Sequence, residues 1–167
     1  MEGKLIVNGQ EIKVQISQEE YEKLTKSNKT GYERVAHGER FYIVNSEGQV
    51  NVWEDLDYTC DKIMYEQGNY YTDKNLAVAN ARADKLMRNL RRFAAEHRTT
   101  EVSWGSYTPK KYFIQYNYVT NKLGCVYNTV CKYVGIVCFE TDEIADAAIE
   151  KFKDELIWYF TEYKDSL

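Results

Sequence analysis

Apolar and polar residues alternate from the start of the chain. The segment KLIVNGQEIKVQI holds two such runs on either side of Asn8-Gly9, a dipeptide favoured in tight primed turns, and predicts a β-hairpin. Ser17-Gln18-Glu19-Glu20 has the form of a capping box and leads into a short helix, EEYEKLTKS. A polar connector covers residues 27 to 40. RFYIVN and QVNVW then predict a second hairpin across Ser46-Glu47-Gly48. The acidic stretch EDLDYTCDKIMYEQGN has no clear period and ends in the turn signal Gly68-Asn69. Beyond NYYTD the period changes to that of a helix. Thr72 or Asp73 can cap its start, and Leu76, Ala79, Ala83, Leu86, Met87, Leu90, Phe93 and Ala94 make a continuous stripe.

The second half repeats the plan. KYFIQYNYV alternates, with Tyr112, Ile114, Tyr116 and Tyr118 on one face, and LGCVYN and KYVGIVCF add further extended runs. ETDE caps a final helix with the stripe Ile144, Ala145, Ala148, Ile149, Phe152, Leu156, Tyr159 and Phe160. In both halves a hairpin leads to a strand ending in an aromatic, then Thr-Asp, then an Ala-rich helix that finishes in Phe. This predicts a degenerate duplication of a β-β-β-α unit. Residues 1–30 form an N-terminal hairpin-helix element, 40–98 the first unit and 110–165 the second, the two units making one compact domain. The expected class is α+β, with antiparallel sheets packed against two long helices.

Composition narrows the setting. The hydrophobic share is 44% and the charged share 29%, as in ordinary globular proteins. No apolar run approaches the roughly 18 residues needed to cross a bilayer, and MEGKLIVNGQ lacks the apolar core of a signal peptide. Both features point to an intracellular protein without membrane attachment. Cys60, Cys125, Cys131 and Cys138 show no CxxC spacing, and neither His37 nor His97 lies near them, so free thiols are expected and no metal site. The 15 tyrosines against 6 phenylalanines suit either half-exposed sheets or a contact surface.

Charge is unevenly spread. Residues 1–66 hold 8 basic and 13 acidic side chains, residues 67–111 hold 9 and 4, and residues 112–167 hold 5 and 9, within a net charge of −4. On the helix after Thr72 the apolar stripe occupies an arc of about 120°. Arg82, Lys85, Arg88, Arg91 and Arg92 lie outside it as a basic face. The sister helix carries Asp142, Glu143, Asp146, Glu150, Asp154 and Glu155, and the acidic connector carries Glu54, Asp55, Asp57, Asp61 and Glu66. Three readings compete: a solvated face partly paired with these acids, a surface for an acidic protein or nucleic acid, or acidic zones that imitate phosphate. Either charged mode would be strongly salt-dependent.

Catalytic signatures are missing. The nine glycines are scattered among turns, and the two histidines sit in a polar connector and near a helix end. Asp55 and Asp57 lack a second cluster that would make a metal or acid–base site. No enzyme activity and no cofactor are expected. KYFIQYNY presents aromatics on a strand face as the RNA recognition motif does, without that motif's Gly-aromatic-Gly/Ala-Phe signature. Tyr112, Tyr116 and Tyr118 remain candidates for stacking on bases.

The opening LIVNGQEIKVQIS, the central FYIVNSEGQVNVWED, the helix start GNYYTDKNLAVANA and the tail DELIWYFTEYKD together resemble small accessory proteins of Firmicutes phages and mobile elements. That set includes anti-CRISPR and other counter-defence factors. The resemblance extends over nearly the whole chain, but its motifs are structural and carry no functional residue over. It implies a non-enzymatic interaction protein in the cytoplasm of a bacterial host. Such a protein would bind and inhibit a nucleic-acid-handling partner, most sharply an RNA-guided CRISPR nuclease. The alternative is direct nucleic-acid binding through the basic helix and the tyrosine face.

Overall fold

The computed structural model describes residues 2–7, 10–15, 17, 29–101 and 104–163. Its elements are β1 (Glu2–Val7), β2 (Gln10–Gln15), β3 (Arg40–Val44), β4 (Val50–Glu54), α1 (Thr59–Glu66), α2 (Lys74–Glu96), β5 (Lys111–Asn117), β6 (Lys122–Asn128), α3 (Asp142–Lys151) and α4 (Lys153–Thr161). Among the described residues the strands form three separate antiparallel hairpins, β1–β2, β3–β4 and β5–β6. With helices laid against the second and third hairpins, the class is α+β. Val7 pairs with Gln10, the register of a two-residue hairpin connection. The Asn8-Gly9 turn itself and the helix expected over residues 19–27 lie outside the described residues.

The second and third hairpins are built alike. In the β3–β4 hairpin Phe41 and Ile43 point inward, while the Asn45 carboxamide closes the turn by accepting from the N–H groups of Glu47 (3.0 Å) and Gln49 (2.8 Å). Tyr42 and Tyr71 then exchange two backbone hydrogen bonds, of 2.7 and 2.9 Å. Two residues later Asp73 caps α2, accepting from the N–H of Asn75 at 2.7 Å. In the β5–β6 hairpin Tyr112 and Phe139 exchange bonds of 3.0 and 2.9 Å. Two residues on, Thr141 caps α3 by accepting from the N–H of Ile144 at 3.3 Å. Four residues beyond each cap lies a fully buried alanine, Ala77 or Ala145, where a larger side chain would hold helix and hairpin apart.

Three expected elements differ. The third strand of each unit is a single bridge. In the first unit the Asn69 side chain takes the next place in the ladder, accepting from Val44 N–H and donating to Val44 O at 2.8 Å each. In the second unit KYVGIVCF is a loop, because Gly135 adopts φ +78° and turns Val134 and Ile136 out to solvent. The acidic connector contains the helix α1. Asp61 starts it by accepting from the N–H groups of Leu56 (3.1 Å) and Tyr58 (2.9 Å), a local signal that apolar periodicity does not show. The last long helix is two helices divided at Phe152 (φ −115°, ψ 20°), whose ring packs edge-on against Phe93 at 5.9 Å.

The 23-residue α2 is the spine of the molecule. Its first half lies on β3 and β4. Its second half places Leu86, Leu90, Phe93 and Ala94 in the main core with Phe139, Ala148, Ile149 and Leu156. A smaller core of Phe41, Ile43 and Tyr70 sits under the second hairpin. Among the described residues no helix is long and apolar enough to cross a membrane.

Candidate functional site

The basic face of α2 is less uniform than its spacing implies. Arg82 is committed to the fold. Its Nε and Nη2 donate to the Glu155 carboxylate at 2.8 and 3.2 Å, and its guanidinium lies 4.0 Å from the centre of the Trp158 ring. This bidentate contact raises the arginine's pKa and lowers that of Glu155. Arg92 leans along its own helix to Asn89 (3.1 Å) and Glu96 (3.9 Å). Lys85, Arg88 and Arg91 are exposed and join no ion pair among the described residues. Lys85 and Arg88 border a depression beside the β3–β4 turn. Arg91 faces another way, into a cleft.

The acidic connector is divided: Asp55 and Asp61 are turned inward, while Glu54, Asp57 and Glu66 face solvent. Asp55 is buried, and accepts from Arg34 Nε and Nη2 at 3.0 Å each, Tyr70 Oη at 2.9 Å and Asp57 N–H at 2.9 Å. The Arg34 fork holds its carboxyl well below the usual carboxylate range, and burial together with Asp55 pushes the Tyr70 phenol up to about 12. Asp61 is the buried start of α1. Asp57 is solvent-facing but takes Arg34 Nη2 at 2.9 Å and His37 Nδ1 at 3.2 Å. Glu54 alone of these four is exposed with no described partner.

The tyrosine face is also occupied. Tyr112 and Ile114 pack on the main core. Tyr116 stacks on Phe160 at 6.0 Å and 15°, and Tyr118 Oη donates to the Phe160 carbonyl at 2.7 Å. Tyr112, Ile114 and Tyr116 are partly buried on this face, whereas Tyr118 lies beyond the end of β5 and remains 67% exposed, so the four do not form one open platform for bases.

A further concavity lies on the other side of β5. It is an open cleft of about 660 Å³ between the end of α2, the loop at Trp104 and the 129–138 loop. Phe113 is its buried floor. Trp104 lies nearly parallel to that ring (6.4 Å, 22°), and Tyr133 meets it edge-on (6.0 Å, 82°). Beneath them Lys111, 1% exposed, donates its ammonium to the carbonyls of Ser106 (3.1 Å) and Thr129, tying the two loops together. Asn128 shapes the second loop, accepting from the N–H groups of Val130 (3.1 Å) and Cys131 (3.0 Å) and donating to Tyr133 Oη at 3.0 Å.

The cleft is cationic. Arg91, Arg98 and Lys132 line it against one acid, Glu101, and none of the three is in an ion pair among the described residues. Glu140, bonded to the lining residue Thr100, is held by Thr99 N–H at 2.6 Å and by the hydroxyls of Thr99 (2.9 Å) and Thr100 (2.7 Å). Those bonds lower its pKa to about 2. The Cys138 thiol on the wall is pushed up by burial. Among the described residues no group of three or more His, Cys, Asp or Glu side chains has the arrangement of a metal site.

Of the candidate partner-binding residues singled out by sequence, Arg91 alone is among the described lining residues of this cleft. Arg98, Trp104, Lys132 and Tyr133 are separated by up to 35 positions and share no period. Their only sequence mark is a tryptophan in a Gly-Ser loop directly after a basic helix. Comparison with models of known protein families, with characterised proteins and with solved structures gives no match.

Proposed function

We propose that this chain is a non-catalytic nucleic-acid-binding protein that works through the cleft between α2 and the 129–138 loop. The observation that carries the reading is the meeting of three cations, none in an ion pair among the described residues, with the rings of Trp104 and Tyr133, Lys132 already lying 6.0 Å from the centre of the Trp104 ring, on a protein of net charge −4. Arginine makes planar two-point contacts with phosphate oxygens. Aromatic side chains add base contacts that bare charge does not supply. Lys111 supports the same walls from below, so the rings are held before any ligand arrives.

Inhibition of a host nucleic-acid-handling protein, anti-CRISPR-like in kind, is the second reading. It is favoured by Val130, Tyr133, Val134 and Ile136, all exposed on one loop as in a protein-contact patch. It ranks second because a partner that itself grips nucleic acid presents positive charge, and the cleft would repel it. Within the acidic connector Asp55 and Asp61 are buried and Asp57 is engaged by Arg34 and His37, which leaves Glu54 and Glu66 as its exposed acids with no described partner.

Fluorescence anisotropy with labelled DNA and RNA from low to moderate salt tests the proposal. Binding should weaken with salt with a log–log slope of roughly −2, the value for about three neutralised phosphates. The triple variant Arg91→Glu, Arg98→Glu, Lys132→Glu should lose it. Absence of binding to any DNA or RNA at low salt rejects the reading. Inhibition of a nuclease that survives in the triple variant moves the choice to the second.

A further inference from the structure

We infer that the cleft takes an unpaired strand, with a base inserted against Trp104 and Tyr133, rather than the backbone of a duplex. This rests on the nucleic-acid reading above and goes further in specifying strand state and mode.

The rings are recessed. Phe113 forms a floor that is 5% exposed, Trp104 is half-buried beside it, and Tyr133 stands at the rim, 50% exposed. Bases in a duplex have both faces covered by their neighbours, so only an unpaired base can bring a π-face to such a recess. A volume of about 660 Å³ falls within the range of small-ligand pockets, enough for a base with its sugar.

The cations agree with this placement. Arg91 and Arg98 come from the α2 side and Lys132 from the 129–138 loop, so phosphates before and after an inserted base each have a cation on a different wall. No Asn or Gln is among the described lining residues. The nearby Asn128 has its amide on Tyr133 and its oxygen on loop N–H groups. The side chains that commonly read adenine edges are therefore lacking, and recognition should tolerate sequence.

The test compares 12-nucleotide single strands of DNA and RNA with the matching duplexes at one salt concentration, using anisotropy and 2-aminopurine fluorescence. Single strands should bind at least about tenfold tighter than duplexes, and 2-aminopurine should be quenched on binding. Tyr133→Ala, and separately Trp104→Ala, should weaken single-strand binding about tenfold while leaving the salt slope unchanged. Tyr133 lies on an exposed loop, so its variant keeps the test valid if Trp104→Ala disturbs packing. Equal affinity for duplex, or ring variants that bind as the parent does, would overturn base insertion and leave phosphate binding standing. Loss of all binding by the parent protein would remove both. The DNA and RNA arms show whether the 2′-hydroxyl contributes.

Discussion

One residue before its bridge, the second hairpin buries Phe41 and the third buries Lys111. Around Phe41 the region closes on itself. Tyr70 stacks on it at 3.9 Å and 12°, the Tyr70 hydroxyl donates to Asp55, and Asp55 is matched by Arg34. Around Lys111 the ammonium meets two carbonyl oxygens and lies 5.5 Å from the centre of the Trp104 ring, and the cations above it have no carboxylate partner among the described residues. The same local frame therefore ends in a charge-compensated core on one side and a cationic recess on the other. A buried charge in itself says little about function. What distinguishes the two regions is whether the charges near it are already matched.

The comparison is broken most forcefully in the cores. Phe139, 1% exposed, joins the bridge to the main core, and Phe139→Ala should cost about 3–5 kcal/mol. Asp55→Asn keeps the shape but takes the charge from the Arg34 fork, and should cost about 2–3 kcal/mol. Urea unfolding gives both values, and hydrogen exchange gives their location. The first should loosen α3 and α4, and the second β3, β4 and α1. A larger loss from Asp55→Asn than from Phe139→Ala would reverse the ranking of apolar over polar support.

Acid should separate the regions next. The folded-state pKa of Asp55 is depressed, so its contribution is complete above its unfolded pKa near 4 and is lost as the pH falls below that value. The described residues of the main core include no carboxylate or histidine, although the Glu140 clasp beside the cleft should open as the pH approaches about 2. Amide signals of β3 and β4 should therefore broaden or shift before those of β5 and β6 between about pH 4 and pH 2. Asp55→Asn should abolish that order. Simultaneous loss in both regions would mean that they unfold as one unit.

Features with local causes were legible in the sequence. The Asp73 cap, the α2 stripe, the second and third hairpins and the Thr141 cap each rest on residues a few positions apart. The division at Phe152 escaped because the apolar stripe continues in phase on both sides of it. The helix α1 escaped because its defining contact is a carboxylate cap rather than a stripe. The cleft escaped for a different reason. It joins Arg91 to Cys138 through folding alone, and its pinning residue, Lys111, reads in sequence as one more solvated lysine. Exposure was also misjudged where two elements meet. Tyr116 has the spacing of an open face until α4 lies across it.

Arg82 and Arg88 provide the finest test, since both are exposed arginines of α2, one against α4 and the other beside the β3–β4 turn. Arg82 and Glu155 are each more than two-fifths exposed, so solvent screening limits their pair to about 0.5–1 kcal/mol despite its two-point geometry. Arg82→Glu should therefore lower stability by about 1 kcal/mol, because it also sets like charges together and removes the contact with Trp158. Arg88→Glu should stay within about 0.5 kcal/mol of the parent. The exchange of Arg82→Glu with Glu155→Arg should recover part of the loss, and the double-mutant cycle isolates the pair from its surroundings. Neither substitution lies in the cleft, so neither should change nucleic-acid binding as Arg91→Glu does. If Arg82→Glu weakened binding with its stability restored by Glu155→Arg, the contact surface would extend along α2 beyond the cleft. If Arg88→Glu were as destabilising as Arg82→Glu, the distinction between a committed and an uncommitted arginine on α2 would fall.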